Sequence, residues 1–211
     1  MFRAEMSDRL IAGDLEAQCR CATIGRRIIV LEQTGSTNDA ILQLAAADPE
    51  EGLVLFAEHQ TAGRGQRGNR WESAAGKGLW FSILLRPNLE INDSGRLTIW
   101  AIEGVSDVIR TEFSLAPAIK LPNDLRLSGR KVAGVLVEMR AQEKAPHLAV
   151  VGIGINVNQS LEDFPSELQS RAISLAMALH RPVDRRQLAV ALLQYLDRTY
   201  RERFTDEALQ S

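Results

Sequence analysis

The 211-residue chain carries 25 Lys+Arg against 27 Asp+Glu, a formal net charge of −2, with 45% hydrophobic and 25% charged residues. That balance fits a soluble globular protein with one sizeable core and excludes a general nucleic-acid binder, which would carry a basic excess. No apolar run approaches the ~20 residues that span a bilayer, the start Met1–Asp8 lacks a signal-peptide core, and Cys19 and Cys21 are too close for an unstrained disulfide, so free thiols in the cytoplasm are expected.

In chain order, Asp8–Arg20 has helical character, with Leu10, Ile11 and Leu15 on one side, and Ile28–Leu31 reads as a buried strand. Ser36 or Thr37 caps a helix with the apolar face Ile41, Leu42, Leu44 and Ala45, ending before Pro49. A short strand at Leu53–Ala57 leads into a loop of about twenty residues, Glu58 to Gly78, a length that is usually functional or disordered. Leu79–Leu85 is β-rich and closed by Pro87. Asp93 or Ser94 then caps a helix to about Glu112, with Leu97, Ala101, Val105 and Val108 on one face. Ile119-Lys120 runs into a turn at Pro122-Asn123-Asp124. Val132–Met139 and Leu148–Asn156 read as strands, and Ser166–Leu179 and Asp184–Arg203 as amphipathic helices. Strands in hairpin-like succession with fewer helices favour an α+β fold built on a mixed, largely antiparallel sheet.

Four stretches carry chemistry. The loop Gly63-Arg64-Gly65-Gln66-Arg67-Gly68-Asn69-Arg70-Trp71 combines glycines that admit close backbone approach, guanidinium groups suited to carboxylate or phosphate, and an indole face for a base. It lacks the spacing of a P-loop or a dinucleotide fingerprint, so a flexible surface loop or an RNA-binding segment competes with an anion cradle. Lys120-Leu121-Pro122-Asn123-Asp124 is either an ordinary turn or a polar site able to hold magnesium waters. Gly129-Arg130-Lys131-Val132-Ala133-Gly134-Val135-Leu136-Val137-Glu138 and Gly152-Ile153-Gly154-Ile155-Asn156 put glycines inside apolar strands, which weakens a sheet unless something approaches the backbone there.

These blocks, in this order, together with Ser36-Thr37-Asn38 and Gln60-Thr61-Ala62, resemble the biotin protein ligases from about Ile28 to Asn158. The resemblance implies a biotin/lipoate ligase catalytic domain, related to the class II aminoacyl-tRNA synthetase fold, that makes biotinyl-5'-AMP from biotin and ATP with Mg2+. Biotin then passes to a lysine of the biotin carboxyl carrier protein of acetyl-CoA carboxylase or a related enzyme. By the same resemblance Ser36, Thr37, Gln60, Gly63, Gly134, Leu136, Gly152 and Ile153 fall in the biotin site, and Arg67, Asn69, Trp71, Asn123 and Asn156 on the nucleotide side. Arg64 and Lys131 serve both, Trp80 is an aromatic wall, Asp124 is base or orienter, and magnesium sits near Asn123 and Asp124. Gln66 and Asn69 stand where many relatives carry arginine, and Leu121 where the family has tryptophan.

Residues 1–24 are expected to form a helical lead and 25–211 the catalytic domain, with neither a winged helix-turn-helix for DNA nor the usual small C-terminal β-barrel. Monomer and dimer stay open. Two alternatives on the same fold are a lipoate or octanoate ligase, whose Arg-Arg-x-x-Gly-Gly-Gly signature is missing here, and a noncatalytic biotin-binding module.

Overall fold

The computed structural model describes residues 8–45, 50–142 and 146–205. Seven strands form one sheet in the order β1-β2-β3-β7-β6-β5-β4, and only the β1–β2 pairing is parallel. The strands are β1 (Ile28–Thr34), β2 (Val54–Gln60), β3 (Gly78–Leu85), β4 (Ala118–Lys120), β5 (Asp124–Leu127), β6 (Arg130–Arg140) and β7 (Leu148–Asn156). The helices are α1 (Ala12–Cys19), α2 (Thr37–Ala45), α3 (Ser94–Phe113), α4 (Ser166–Gln169), α5 (Leu175–Leu179) and α6 (Arg185–Phe204). The mixed, largely antiparallel sheet flanked by helices is the expected fold.

Two-residue alternation divides the sheet into two faces with different work. One set of alternating residues, including Phe56, Leu79, Phe81, Ile83, Val135, Ile153 and Ile155, joins the main core with side chains of α1, α3 and α6. Gly104 lets α3 approach α6 closely, since a Cβ there would lie 2.8 Å from Leu196 Cδ2. Trp100, Tyr200 and Phe204 stack between the same two helices, and the Trp100 indole N–H donates to Thr199 Oγ1 at 2.9 Å. On the opposite face a small cluster of Ile41, Leu53, Leu55, Leu84, Leu148 and Val150 seats α2 at one end. The rest of that face carries the glycines.

Several sequence readings need correction. β1 is an edge strand and only half-buried, because no strand among the described residues pairs on its outer side. The turn at Pro122-Asn123-Asp124 joins two short strands, β4 and β5, whose alternation is too brief to show in the sequence. Ser166–Leu179 is not one helix. The Ser174 hydroxyl accepts from Met177 N and starts α5, while Lys131 N donates to Arg171 O and Ile173 N donates to Lys131 O, drawing residues 171–173 out as a strand-like bridge beside β6. Asp184 caps α6 as expected, accepting from Arg186 N and Gln187 N, and Pro49 lies outside the described residues.

The described part of the N-terminal lead shares the main core through Leu10, Leu15 and Cys19. It is also tied by charge. Arg185, 2% exposed, donates to both Asp8 oxygens at 3.0 Å and to Glu58 Oε2 at 2.6 Å, and Glu58 accepts from Leu10 N. Asp197 accepts from the backbone N–H groups of Ala22, Thr23 and Ile24.

Candidate active site

The register of β6 against β7 sets Gly134 opposite Gly154 and Leu136 opposite Gly152, so three glycines lie together on the face that α2 leaves uncovered. Residues that bear polar or aromatic side chains continue this face on β3, with Trp80 opposite Gly154 and Ser82 opposite Gly152. The result is a flat floor with walls. A pocket opens on it, lined by Ser36, Thr37, Asn38, Gln60, Arg64, Gly65, Trp71, Asn123, Lys131, Gly134, Val135, Leu136, Gly152, Ile153 and Gly154.

The inner end of the cavity is polar and connected. Gln60 Oε1 accepts from Thr37 N at 2.8 Å and Thr37 Oγ1 at 3.1 Å. Because a backbone N–H can only donate, this fixes which end of the Gln60 amide is oxygen. Ser82 Oγ lies 2.8 Å from Thr37 Oγ1 and 2.6 Å from Asn38 Oδ1, and Asn38 Nδ2 donates to Glu138 Oε2 at 2.7 Å. Donors and acceptors thus alternate along one buried wall, suited to a small ligand that presents both.

Charge gathers at the mouth. Lys131 Nζ is 2.7 Å from Asp124 Oδ1 and 5.1 Å from the centre of the Trp71 ring. Arg64 forks onto Glu138, Nη1 to Oε1 at 3.1 Å and Nη2 to Oε2 at 2.8 Å, and reaches Asp39 Oδ1 at 2.7 Å. The two cations are therefore matched by three carboxylates. An incoming anion gains their attraction only by drawing them from those partners, or by bringing a cation of its own.

The Trp71 ring lies on the glycine floor. A Cβ at Gly154 would come within 2.7 Å of Trp71 Cε2, and one at Gly134 within 3.0 Å of both Trp71 Cζ3 and Lys131 Nζ. Trp71 meets Trp80 edge to face at 6.0 Å. The indole N–H groups of both tryptophans, and Gln159 Oε1 next to Asn156, are buried without a hydrogen-bond partner. Of these three atoms only the Trp71 indole N–H belongs to a residue that lines the pocket, where a polar ligand atom would satisfy it.

Most of the expected biotin set, namely Ser36, Thr37, Gln60, Arg64, Lys131, Gly134, Leu136, Gly152 and Ile153, lines this one cavity with Trp71 and Asn123. Gly63 stands at its rim, where a Cβ would meet Trp71 O at 2.6 Å. Asp124 touches the site through Lys131, and Trp80 is a fully buried wall. Three expected nucleotide residues lie outside the cavity lining. Arg67, with φ 58°, and Asn69 sit on an exposed 3-10 turn. Asn156 is buried and donates to Lys131 O and Ile173 O.

Sequence reasoning assigned no role to Asn38, Asp39, Ser82 or Glu138. Ser82 had a signal, being the only hydroxyl in the wholly buried run Gly78–Leu85. The acids had none, since a carboxylate on a strand or helix is usually solvated. Among the described residues no group of three or more His, Cys, Asp and Glu side chains is arranged to hold a metal.

The site is thus a glycine-floored pocket on a single sheet, polar at its inner end and edged at its mouth by Lys131 and Arg64 paired to carboxylates. The model of the biotin/lipoate A/B protein ligase family matches residues 30–156, and the chain belongs to that family. It is 34% identical over 197 residues to the bifunctional ligase/repressor BirA of Bacillus spizizenii, covering 93% of this chain and 61% of that one. It is 36% identical over 177 residues to the biotin–[acetyl-CoA-carboxylase] ligase of Mycobacterium tuberculosis, covering 82% of this chain and 63% of that protein. The structure of the Aquifex aeolicus biotin protein ligase in complex with biotin and ATP superposes with a TM-score of 0.69 at 30% identity, over 83% of this chain and 72% of that one. The chain thus spans a little over three fifths of the length of these two relatives.

Proposed function

We propose that the protein is an ATP-dependent biotin protein ligase, forming biotinyl-5'-AMP and passing biotin to a lysine of a carrier protein. The observation that carries this reading is the pocket itself: alternating donors and acceptors at its inner end, three glycines in its floor with the Trp71 ring laid across two of them, and Lys131 and Arg64 at its mouth. A ureido ring both donates and accepts, which suits the polar wall of Thr37 and Gln60, and a flat bicycle takes its place over the glycines when the Trp71 ring, which rests on Gly134 and Gly154, lifts with its hairpin. The acid chain then runs out to the cations.

In the first step a biotin carboxylate oxygen attacks the α-phosphorus of ATP, and pyrophosphate leaves. Two anions must approach, and charge builds on the α-phosphoryl oxygens, so Lys131 and Arg64 act by positioning and by fixed charge. In the second step the neutral amine of the acceptor lysine attacks the acyl carbon, AMP leaves with the electron pair of the broken C–O bond, and the proton lost by the nitrogen passes to solvent water. The 2.7 Å pair with Lys131 favours Asp124 as the group that orients that lysine over a role as free base. The hairpin bearing Arg64 and Trp71 covers the floor and keeps water from the mixed anhydride.

Magnesium supplies charge neutralisation on the phosphates when bound. Asp124 is engaged with Lys131 and the Asn123 amide nitrogen with Val135 O, so these two residues suit an ion that arrives on the nucleotide better than a dedicated metal centre. We further propose the carrier protein of acetyl-CoA carboxylase or a related biotin enzyme as acceptor, in the cytoplasm. No helix among the described residues is long and apolar enough to cross a membrane. The test is pyrophosphate release from ATP and Mg2+ with biotin or lipoate as the acid. Release driven by biotin alone supports the reading, release driven by lipoate transfers it to the lipoyl branch, and biotin binding without release leaves a noncatalytic module.

A further inference from the structure

The segment between β2 and β3 has fixed roots and a separate tongue. At its start Thr61 N and Ala62 N donate to Thr34 O and Gly35 O, and at its end Gly76 N donates to Glu58 O and Asn158 N to Lys77 O. Lys77 is held again by Asp163 at 2.6 Å. Between these roots residues 63–71 close on themselves. Trp71 N donates to Gly63 O at 2.9 Å, Gly65 N donates to Asn69 O at 2.7 Å, and Arg64 bridges Arg70. A hairpin bonded internally in this way moves as a unit, and its position over the cavity is set by what it touches beyond itself.

At its root Arg70 donates to Thr61 O at 3.3 Å and pairs with Glu72, and across the cavity it has two holds: the Trp71 ring on the glycine floor, and the Arg64 fork on Glu138 with Asp39. The second is preset from within the cavity. Ser82 Oγ lies 2.6 Å from Asn38 Oδ1, which turns Asn38 Nδ2 toward Glu138 and seats that carboxylate at 2.7 Å to receive the guanidinium. Polar contact is thus continuous from the buried inner wall to the tongue at the mouth.

We propose that Glu138, seated by Asn38 and assisted by Asp39, is a positioning residue that fastens Arg64 and its hairpin over the cavity. Glu138 does not touch the reacting atoms; it acts through Arg64. Because the three charged side chains are each 30–53% exposed, the latch is reversible and sensitive to salt, as a cover that must open for ligand requires.

The test has one arm that rests on the ligase reading and one that does not. Arg64, Arg67 and Arg70 make the hairpin a trypsin substrate, so limited proteolysis reports its position without any activity. Glu138→Gln should speed cleavage within residues 64–70 about 5–10-fold and Asp39→Asn about 2–3-fold, with melting temperature and cleavage elsewhere unchanged. For the wild type, 1 M NaCl, with rates normalised to a peptide substrate, should speed the same cuts, and less so in Glu138→Gln; this arm stands even if a variant misfolds. In the catalytic arm, kcat/KM for biotin should fall about tenfold in Glu138→Gln and be partly rescued in Glu138→Asp. Unchanged hairpin cleavage in both variants and in salt would overturn the proposal, as would faster cleavage everywhere with a lowered melting temperature. A loosened hairpin in a protein that never activates biotin would sink the ligase reading and leave the latch standing.

Discussion

Gly152→Ala tests whether the floor must be bare. An alanine Cβ at this position would lie 3.0 Å from Asn38 Cγ and 3.1 Å from its Nδ2, with Oδ1 closer still, all inside ordinary contact distance. An exposed Asn would swing away at little cost. Asn38 is 3% exposed and held at both ends, by Ser82 at 2.6 Å and Glu138 at 2.7 Å, so moving it sacrifices both hydrogen bonds. The neutral bond is worth about 0.5–1.5 kcal/mol and the one to the carboxylate about 1.5–3, together roughly 2–4 kcal/mol. For a protein of this size that lowers the melting temperature by roughly 5–15 °C. The added methyl also stands in the ligand's plane, so biotin affinity should fall at least tenfold by titration calorimetry. A variant with unchanged melting temperature and biotin affinity would refute both the assigned floor and the held Asn38.

Three further outcomes follow from other parts of the structure. Lys131→Met should abolish biotin-dependent pyrophosphate release while melting within a few degrees of the wild type, because Lys131 is part-exposed and its partner Asp124 can rehydrate; retained activity would remove its role. Arg185→Met leaves Glu58, 7% exposed, and Asp8 without their cation and should cost about 3–5 kcal/mol in urea unfolding; a loss under 1 kcal/mol would contradict the buried cluster. At Asp163, burial raises the carboxyl, but Lys77 and Ser160 outweigh it and hold it below the usual carboxylate range. A depressed folded value contributes stability above the unfolded pKa of about 3.9 that is lost as pH falls through the folded one. Lys77→Met should therefore reduce stability at neutral pH and flatten its decline below about pH 4, and an unchanged acid limb would count against the pair.

How much the sequence disclosed depended on whether a residue's surroundings were local. The helices α3 and α6 follow from apolar spacing, and β3 and β7 from apolar runs, because periodicity survives in one dimension. The glycines in β6 and β7 were legible as anomalies, since only a close neighbour explains bare positions in a buried strand, and Gly134, Gly152 and Gly154 do share one floor. The split of α4 from α5 was hidden because the competing interaction, Lys131 with residues 171–173, spans the chain. The same holds for Asn38, Asp39 and Glu138, which owe their roles to Arg64 and Ser82, distant in sequence. Trp71 was legible as an aromatic in a glycine loop, but not as a ring resting on that floor.

The central claim is group transfer, and intact-protein mass spectrometry of a biotin carrier domain measures it directly. With the chain, ATP, Mg2+ and biotin present, the carrier should gain one biotin on a single lysine, lose that gain when ATP is omitted or Lys131 is replaced by Met, and gain nothing from lipoate. A carrier that stays unmodified under these conditions, or takes lipoate in place of biotin, would contradict the account.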